Sequence, residues 1–215
     1  SETTLSGYHY FYDLLVAVTV QLSQIPAMDL LYRFYPVLFS LLLGIGMYLL
    51  VMRLRGSFMA ASLSLYFVYF GSSFGWVVEY LKRGSFFGGE SVFWVNQPVS
   101  INLNPPFAIS LILLVSILLI FKEFLQRPNF FWGLLLVLII GTLVEFKVYG
   151  GVIALGGLAA VALQAFLFKK DISIFQVFLG SLILSLGLFF PQNKGSTSLL
   201  IFSPFWFIHS MIDSV

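Results

Sequence analysis

The chain has 215 residues, of which 60% are hydrophobic and only 9% charged, with a mean hydropathy of +1.00; this excludes an ordinary soluble domain, where about a quarter of residues carry charge. A net charge of +2, with basic residues single or paired, lacks the clustered Lys and Arg face that a nucleic-acid partner requires. Without cysteine there is no disulfide framework and no thiolate metal site, and two histidines far apart argue against zinc; no cofactor is expected, and the sequence leaves a divalent metal open without indicating one.

Apolar runs of membrane-crossing length recur along nearly the whole chain, leaving no room for a soluble domain. Runs such as ISLILLVSILLIF are continuously apolar rather than alternating, which opposes a closed barrel. The expected fold is therefore all-α: one integral membrane domain over residues 1 to 215, a polytopic transmembrane helix bundle of about six to seven spans with an N-terminal interfacial amphipathic helix. The chain opens with Ser1 and ends in a short run at Val215, so it is expected to be part of something longer.

The interfacial helix is expected at about 9 to 25. There His9, Asp13, Ala17, Gln21 and Gln24 follow at spacings of four or three and make one polar stripe, while Leu14, Val18, Leu22 and Ile25 line another face. Such a helix suits the membrane surface better than the interior. His9 and Asp13 stand one turn apart, so the acid is able to orient the imidazole or act as a base. The plainer reading is a carboxylate favoured by the helix N-terminus beside an aromatic belt of Tyr8, Tyr10 and Tyr12.

Spanning helices are expected at about 34 to 52, 58 to 80, 106 to 121, 130 to 146, 149 to 168 and 172 to 190, with a short seventh run at 199 to 212. The brief connections RLRGS, FKEFLQRPN and FKKD hold six of the eleven basic residues, namely Arg53, Arg55, Lys122, Arg127, Lys169 and Lys170. Alternation puts them on one side, which the positive-inside rule makes cytoplasmic. Residues 82 to 106, 191 to 198 and the junction from Glu145 to Gly151 then lie outside.

At the outer end of the second span, Glu79 is able to pair with Lys82 or Arg83 at spacing three or four, a plain surface ion pair. The loop WVNQPVSINLNPPF offers Asn96, Gln97, Asn102 and Asn104, amides able to read sugar hydroxyls, although Asn104 also suits the cap of a helix opening at Pro105 or Pro106. In GGVIALGGLAAVA, Gly150 and Ala154, then Gly156 and Ala160, recur at spacing four and read as close helix packing through small residues.

Between two apolar runs lies LVEFKVYGG. On a continuous helix Glu145 and Tyr149 share a face, and Lys147 points about 160° away at 100° per residue. Either the helix breaks there or Lys147 needs its own anion, because an unpaired ammonium near lipid costs several kcal/mol. Two readings stand: Lys147 and Glu145 both snorkel to the outer headgroups, or Lys147 with Tyr149 binds a lipid phosphate, which the adjacent Gly150 and Gly151 would let approach closely.

The order YHYFYDLLVAV, a spacer, then LLYRFYPVLFSLLLGIGMYLLVMRLRG and a second apolar helix resembles the GT-C superfamily of membrane glycosyltransferases, such as aminoarabinose transferases and protein O-mannosyltransferases, over about the first eighty residues. In that family an interfacial helix precedes a span with an Arg and a Pro near its outer start and basic residues at its cytoplasmic end; Arg33, Pro36, Arg53 and Arg55 stand in matching places. GTLVEFKVYGGVIAL is similar to a segment of bacterial GT-C-like proteins. The family's catalytic acid lies in a loop before the point where this chain begins, so no residue inherits that role by match, and Asp13, His9 and Glu79 are only candidates.

The resemblance implies inverting transfer of a sugar from a polyprenyl-phosphate-linked donor to an extracytoplasmic acceptor, at the outer face of a prokaryotic cytoplasmic membrane. A carboxylate would deprotonate the acceptor, while cations stabilise the departing phosphate; Lys147, Lys82 and Arg83 are the outward cations, with Tyr149 beside the first. Two other classes stay open. A transporter or flippase-like bundle would line a polar path with Glu145 and Lys147, and a non-catalytic assembly subunit would need neither.

Overall fold

The computed structural model describes residues 10 to 71, 75 to 85, 101 to 169 and 172 to 192. Within them the chain is all-helical, and four helices are long and apolar enough to cross a membrane: Ala27–Arg55, Pro105–Gln126, Val148–Phe168 and Ser173–Pro191. With shorter apolar helices beside them, they mark an integral membrane protein.

The short helix α1, Phe11–Ser23, occupies the expected interfacial stretch. Its buried residues are Tyr12 and Val16, with Val20 packed beside them, whereas Leu14, Val18 and Leu22 are exposed together with Asp13, Ala17 and Gln21. The apolar ridge seen in the sequence thus faces away from the protein, as a lipid-contacting ridge would, and a third stripe docks the helix.

The first long helix, α2, spans Ala27–Arg55 and starts a full two turns before the expected position near residue 34. Pro36 is the reason the start is irregular. Its ring would clash with the Tyr32 carbonyl in a regular α-helix, and the stretch Leu30–Phe34 widens into a π-turn in which the Tyr35 N–H donates to the Leu30 carbonyl. The helix therefore continues through the proline instead of stopping. Arg33 pairs with Asp29 one turn earlier (2.9 Å), and Gly56 closes the helix in the left-handed region at φ +65°.

The expected span at 58 to 80 is not one helix. Helix α3, Phe58–Phe70, opens on Ser57, whose hydroxyl accepts from the Ala60 N–H (3.3 Å), and ends at Gly71 in extended backbone; α4, Gly75–Arg83, follows separately. Thirteen residues cover only about 20 Å at 1.5 Å each, short of a 30 Å hydrocarbon layer.

Helix α5, Pro105–Gln126, continues past the expected end at 121, so Lys122 and Glu123 are helical. Asn104 caps it, accepting from the Phe107 N–H (3.3 Å), with Pro105 in the first turn, as its spacing indicated. Helix α6, Phe130–Phe146, is capped in the same way by Asn129 on the Trp132 N–H (2.9 Å). Helix α7, Val148–Phe168, and α8, Ser173–Gln192, match their expected spans to within two residues. The short run at 199 to 212 lies outside the described residues.

In space α3 packs on α2, α2 on α5, α5 on α6 and α6 on α8, with α7 wedged against α6 and α8. Small residues set the closest approaches. A Cβ on Gly141 of α6 would stand 2.6 Å from Leu184 of α8, and Ser185 donates to the Gly141 carbonyl across the same seam (3.1 Å). One apolar core joins Tyr12, Tyr35, Phe39 and Ala108 of α1, α2 and α5; a second gathers Leu136, Ile140 and Leu143 of α6 with Leu158 and Val177. The outward residues of α2, such as Val37, Leu41 and Ile45, are apolar and exposed, the inverse of a water-soluble bundle.

Candidate functional site at the Lys147 end

Two ends of the bundle differ in chemistry. At one, Arg53 at the end of α2 forms an ion pair with Glu123 near the end of α5, so these two helices run parallel and carry their basic connections to the same end. At the other end meet the last turn of α6, the first turns of α5 and α7, and α1. Phe11 of α1 stands edge-on to Phe146 (5.8 Å between ring centroids), and Phe107 of α5 meets Tyr149 of α7 (6.3 Å).

Lys147 makes this end. It alone separates α6 from α7, and its backbone is extended (φ −159°, ψ 113°), which settles that the helix breaks within LVEFKVYGG. Its N–H still donates to the Leu143 carbonyl (3.0 Å) and its carbonyl accepts from the Gly151 N–H (3.1 Å), so one residue ends one helix and begins the next. The tight return is possible because Gly151 lies against the Val144 backbone: a Cβ there would come within 2.9 Å of the Val144 Cα. Gly150 similarly lets α7 approach Ser110 and Leu143.

The Lys147 side chain is half-buried, and its Nζ lies 5.7 Å from the centre of the Tyr149 ring. Among the described residues it forms no ion pair. Burial lowers the pKa of the ammonium from its ordinary 10.5. A half-buried ammonium with no ion pair among the described residues would be stabilised by an anion.

Glu145 behaves differently from the expectation that it snorkels. It is 0% exposed, the most enclosed ionisable residue described, held in the last turn of α6. Its burial follows from the break: once α7 folds back through Gly150 and Gly151, the position facing inward from α6 is covered. Tyr12 is also buried, and its hydroxyl has no hydrogen-bond partner among the described residues; burial, with Tyr35 and Asp13 nearby, pushes its pKa up, so it stays protonated. Tyr35 instead donates to Thr19 (2.8 Å) and so ties α1 to α2.

The remaining candidates scatter. Asp13 is exposed and borders a cleft of about 430 Å³ between α1 and the start of α2, with Gln21 and Ala27 on its walls. Glu79 is buried (6% exposed) rather than a surface carboxylate, although Arg83 does approach it one turn on (3.5 Å), because α4 turns that side chain inward while Lys82 and Arg83 stay exposed. Of the four expected phosphate-binding residues, Lys147 and Tyr149 adjoin (5.7 Å from Nζ to the ring centre), while Lys82 and Arg83 are exposed in the last turn of α4. Asn102 is exposed in the helical turn 101 to 103, and Asn104 is used as a cap. His9, Asn96 and Gln97 lie outside the described residues.

Gly150 packs as the small-residue spacing indicated, but Gly156 does not: a Cβ there meets no atom within 4 Å, and Ala160 is exposed, since that stripe of α7 points away from the bundle. Among the described residues no group of three or more acidic, His or Cys side chains has metal-ligand geometry. This end thus presents a half-buried cation and an aromatic ring, while Gly150 and Gly151, expected to let a ligand approach the backbone, are buried in helix packing.

No known family, curated protein or solved structure matches the chain.

Proposed function

We propose that the protein is a membrane glycosyltransferase of GT-C type, or part of one, that holds the phosphate of a polyprenyl-phosphate sugar donor at Lys147. The observation that carries this reading is the half-buried Lys147 ammonium at a helix break, with Tyr149 beside it and no carboxylate paired to it among the described residues. An alkyl phosphate supplies the missing charge and accepts charge-assisted hydrogen bonds, while the chain below stays in hydrocarbon.

In such a transfer the acceptor hydroxyl attacks the anomeric carbon, the bond from that carbon to the phosphate oxygen breaks, and the hydroxyl proton passes to a carboxylate. The products are an inverted glycoside and polyprenyl phosphate. Lys147 would stabilise the charge growing on the phosphate as it departs. Among the described carboxylates, Asp13, exposed on α1 beside its cleft, is the one we assign to meet an acceptor from water.

Sidedness belongs to the same proposal. The end that carries Arg53, Lys122 and Arg127 is cytoplasmic by the positive-inside rule, which turns Lys147 outward, where acceptors are found. The decisive measurement is polyprenyl-phosphate binding by Lys147→Ala in a folded, detergent-purified chain. Binding should fall by about 1.5–3 kcal/mol, the scale of a charged hydrogen bond, and less in Lys147→Arg. Unchanged binding in the alanine variant would remove Lys147 from the site.

A further inference from the structure

At the basic end of the bundle, opposite Lys147, a notch of about 210 Å³ lies between α2, α5 and the first turn of α6. Its walls are Leu49 and Arg53 of α2, Leu119, Ile120 and Glu123 of α5, and Trp132 of α6. Nearer the middle of the bundle the two parallel helices nearly touch, since a Cβ on Gly46 would stand 3.1 Å from Val115. Toward the basic end the α2 residues become Leu49 and Arg53, and there the seam opens into the notch.

The notch is graded in polarity along the helices. Leu49 precedes Arg53 by one turn and Leu119 precedes Glu123 by one turn, so the wall toward the bundle middle is aliphatic and the ion pair closes the other end. Trp132 is half-buried beside them, an amphipathic ring of the kind that gathers where hydrocarbon meets headgroups. Glu123 meets Arg53 at Nη1, but a guanidinium has five N–H donors and this side chain is 60% exposed, so Arg53 can serve a second acceptor. Arg55, Lys122 and Arg127 stand at the same end and form no ion pair among the described residues. Four cations there outweigh the one carboxylate of Glu123.

The geometry points to a site for an anionic phospholipid of the adjoining leaflet, its phosphodiester on Arg53 and one acyl chain along Leu49, Leu119 and Ile120. The walls select this occupant. Leu49 is 45% exposed and opens the notch to hydrocarbon, a surface that a soluble phosphate would leave unused. The planar fork of a guanidinium matches two oxygens of a phosphodiester. The surplus of cations then discriminates among lipids: choline and ethanolamine headgroups bring an ammonium of their own to this end, whereas phosphatidylglycerol brings net negative charge. Seated there, the lipid touches α2, α5 and α6 together. The site stands at the end remote from Lys147 and is independent of how that residue is used.

The two members of the ion pair should therefore act in opposite directions on lipid binding. The experiment is native mass spectrometry of the full chain in detergent with diacyl phosphatidylglycerol, phosphatidylcholine of the same chains, and glycerol 3-phosphate as a phosphate without chains. Wild type should hold phosphatidylglycerol at least about fivefold more tightly than phosphatidylcholine and take up no glycerol 3-phosphate at the same concentration. Arg53→Gln should weaken phosphatidylglycerol binding about fivefold, the scale of one basic residue beside an anionic lipid, while Glu123→Gln, which removes the competing carboxylate, should tighten it. A merely structural ion pair predicts otherwise, because both substitutions break the same contact and would change binding alike. Unchanged binding in Arg53→Gln, or no gain in Glu123→Gln, overturns the proposal, and the second variant still decides if the first fails to fold. Phosphatidylcholine bound as tightly as phosphatidylglycerol overturns the charge selection, and glycerol 3-phosphate bound as tightly would make the ligand a soluble phosphate, contrary to the proposal. Loss of phosphatidylglycerol in Lys147→Ala but not in Arg53→Gln would place the lipid at the opposite end and overturn it as well.

Discussion

At the residue scale the central contrast is between Glu145 and Lys147, two positions apart and opposite in environment. The sequence spacing already showed that a continuous helix keeps them from pairing; the break at Lys147 then buries the acid completely and leaves the base half out. Because burial lowers the Lys147 pKa, the folded chain binds that proton less tightly than the unfolded chain does. Stability is thus lowest below the folded-state pKa and rises as pH climbs from there toward 10.5, where the unfolded group also deprotonates. A phosphate on Lys147 reverses the shift. Titration of isotope-labelled lysine by NMR should show the Lys147 resonance moving to higher pKa when polyprenyl phosphate is added; a titration curve that ignores the lipid would place the phosphate elsewhere.

At the element scale, glycine positions govern how closely helices meet, and their spacing in the sequence was only half informative. Gly150 and Gly156 look alike in GGVIALGGLAAVA, yet one touches Ser110 and Leu143 and the other faces away from every described neighbour. Gly44 of α2 had no signal at all. It lies under the Tyr69 hydroxyl of α3, which donates to the Ser40 carbonyl, and a Cβ there would come within 2.9 Å of the Tyr69 ring carbon Cζ and closer still to the hydroxyl. Gly44→Ala should cost about 1–3 kcal/mol through overpacking, read as a lower melting temperature in detergent. Adding Tyr69→Phe should recover part of that loss by removing the nearest atom; no recovery would mean that the strain lies elsewhere in the α2 and α3 seam.

At the scale of the whole molecule, polarity is distributed by end. The Arg53 and Glu123 pair joins two basic connections far apart in sequence, and the Lys147 break sits at the opposite end with α1 beside it. Single cysteines read this arrangement directly, since the chain has none of its own. A cysteine at Arg127 should be shielded from an impermeant maleimide in sealed right-side-out vesicles and one at Lys82 should label. The reverse pattern would turn the Lys147 end inward and away from an extracytoplasmic acceptor.

Much of the fold was legible in the chain because lipid imposes a simple rule: backbone groups must be satisfied within each helix, so continuous apolarity marks a helix without reference to its neighbours. Hence α5 to α8 and the cap at Asn104 could be anticipated, with only the far end of α5 misplaced. The early start of α2 around Pro36 and the interruption at Gly71 could not, because both depend on backbone adjustments that hydropathy does not record. The site followed the same division. Composition placed a lysine among apolar residues and spacing denied it Glu145, whereas only the packed structure decided that Glu145 and Glu79 are enclosed and that Lys147 stays half-buried beside Tyr149. Sequence carries the periodicity of one helix; burial and grooves arise where several helices, remote along the chain, close on the same space.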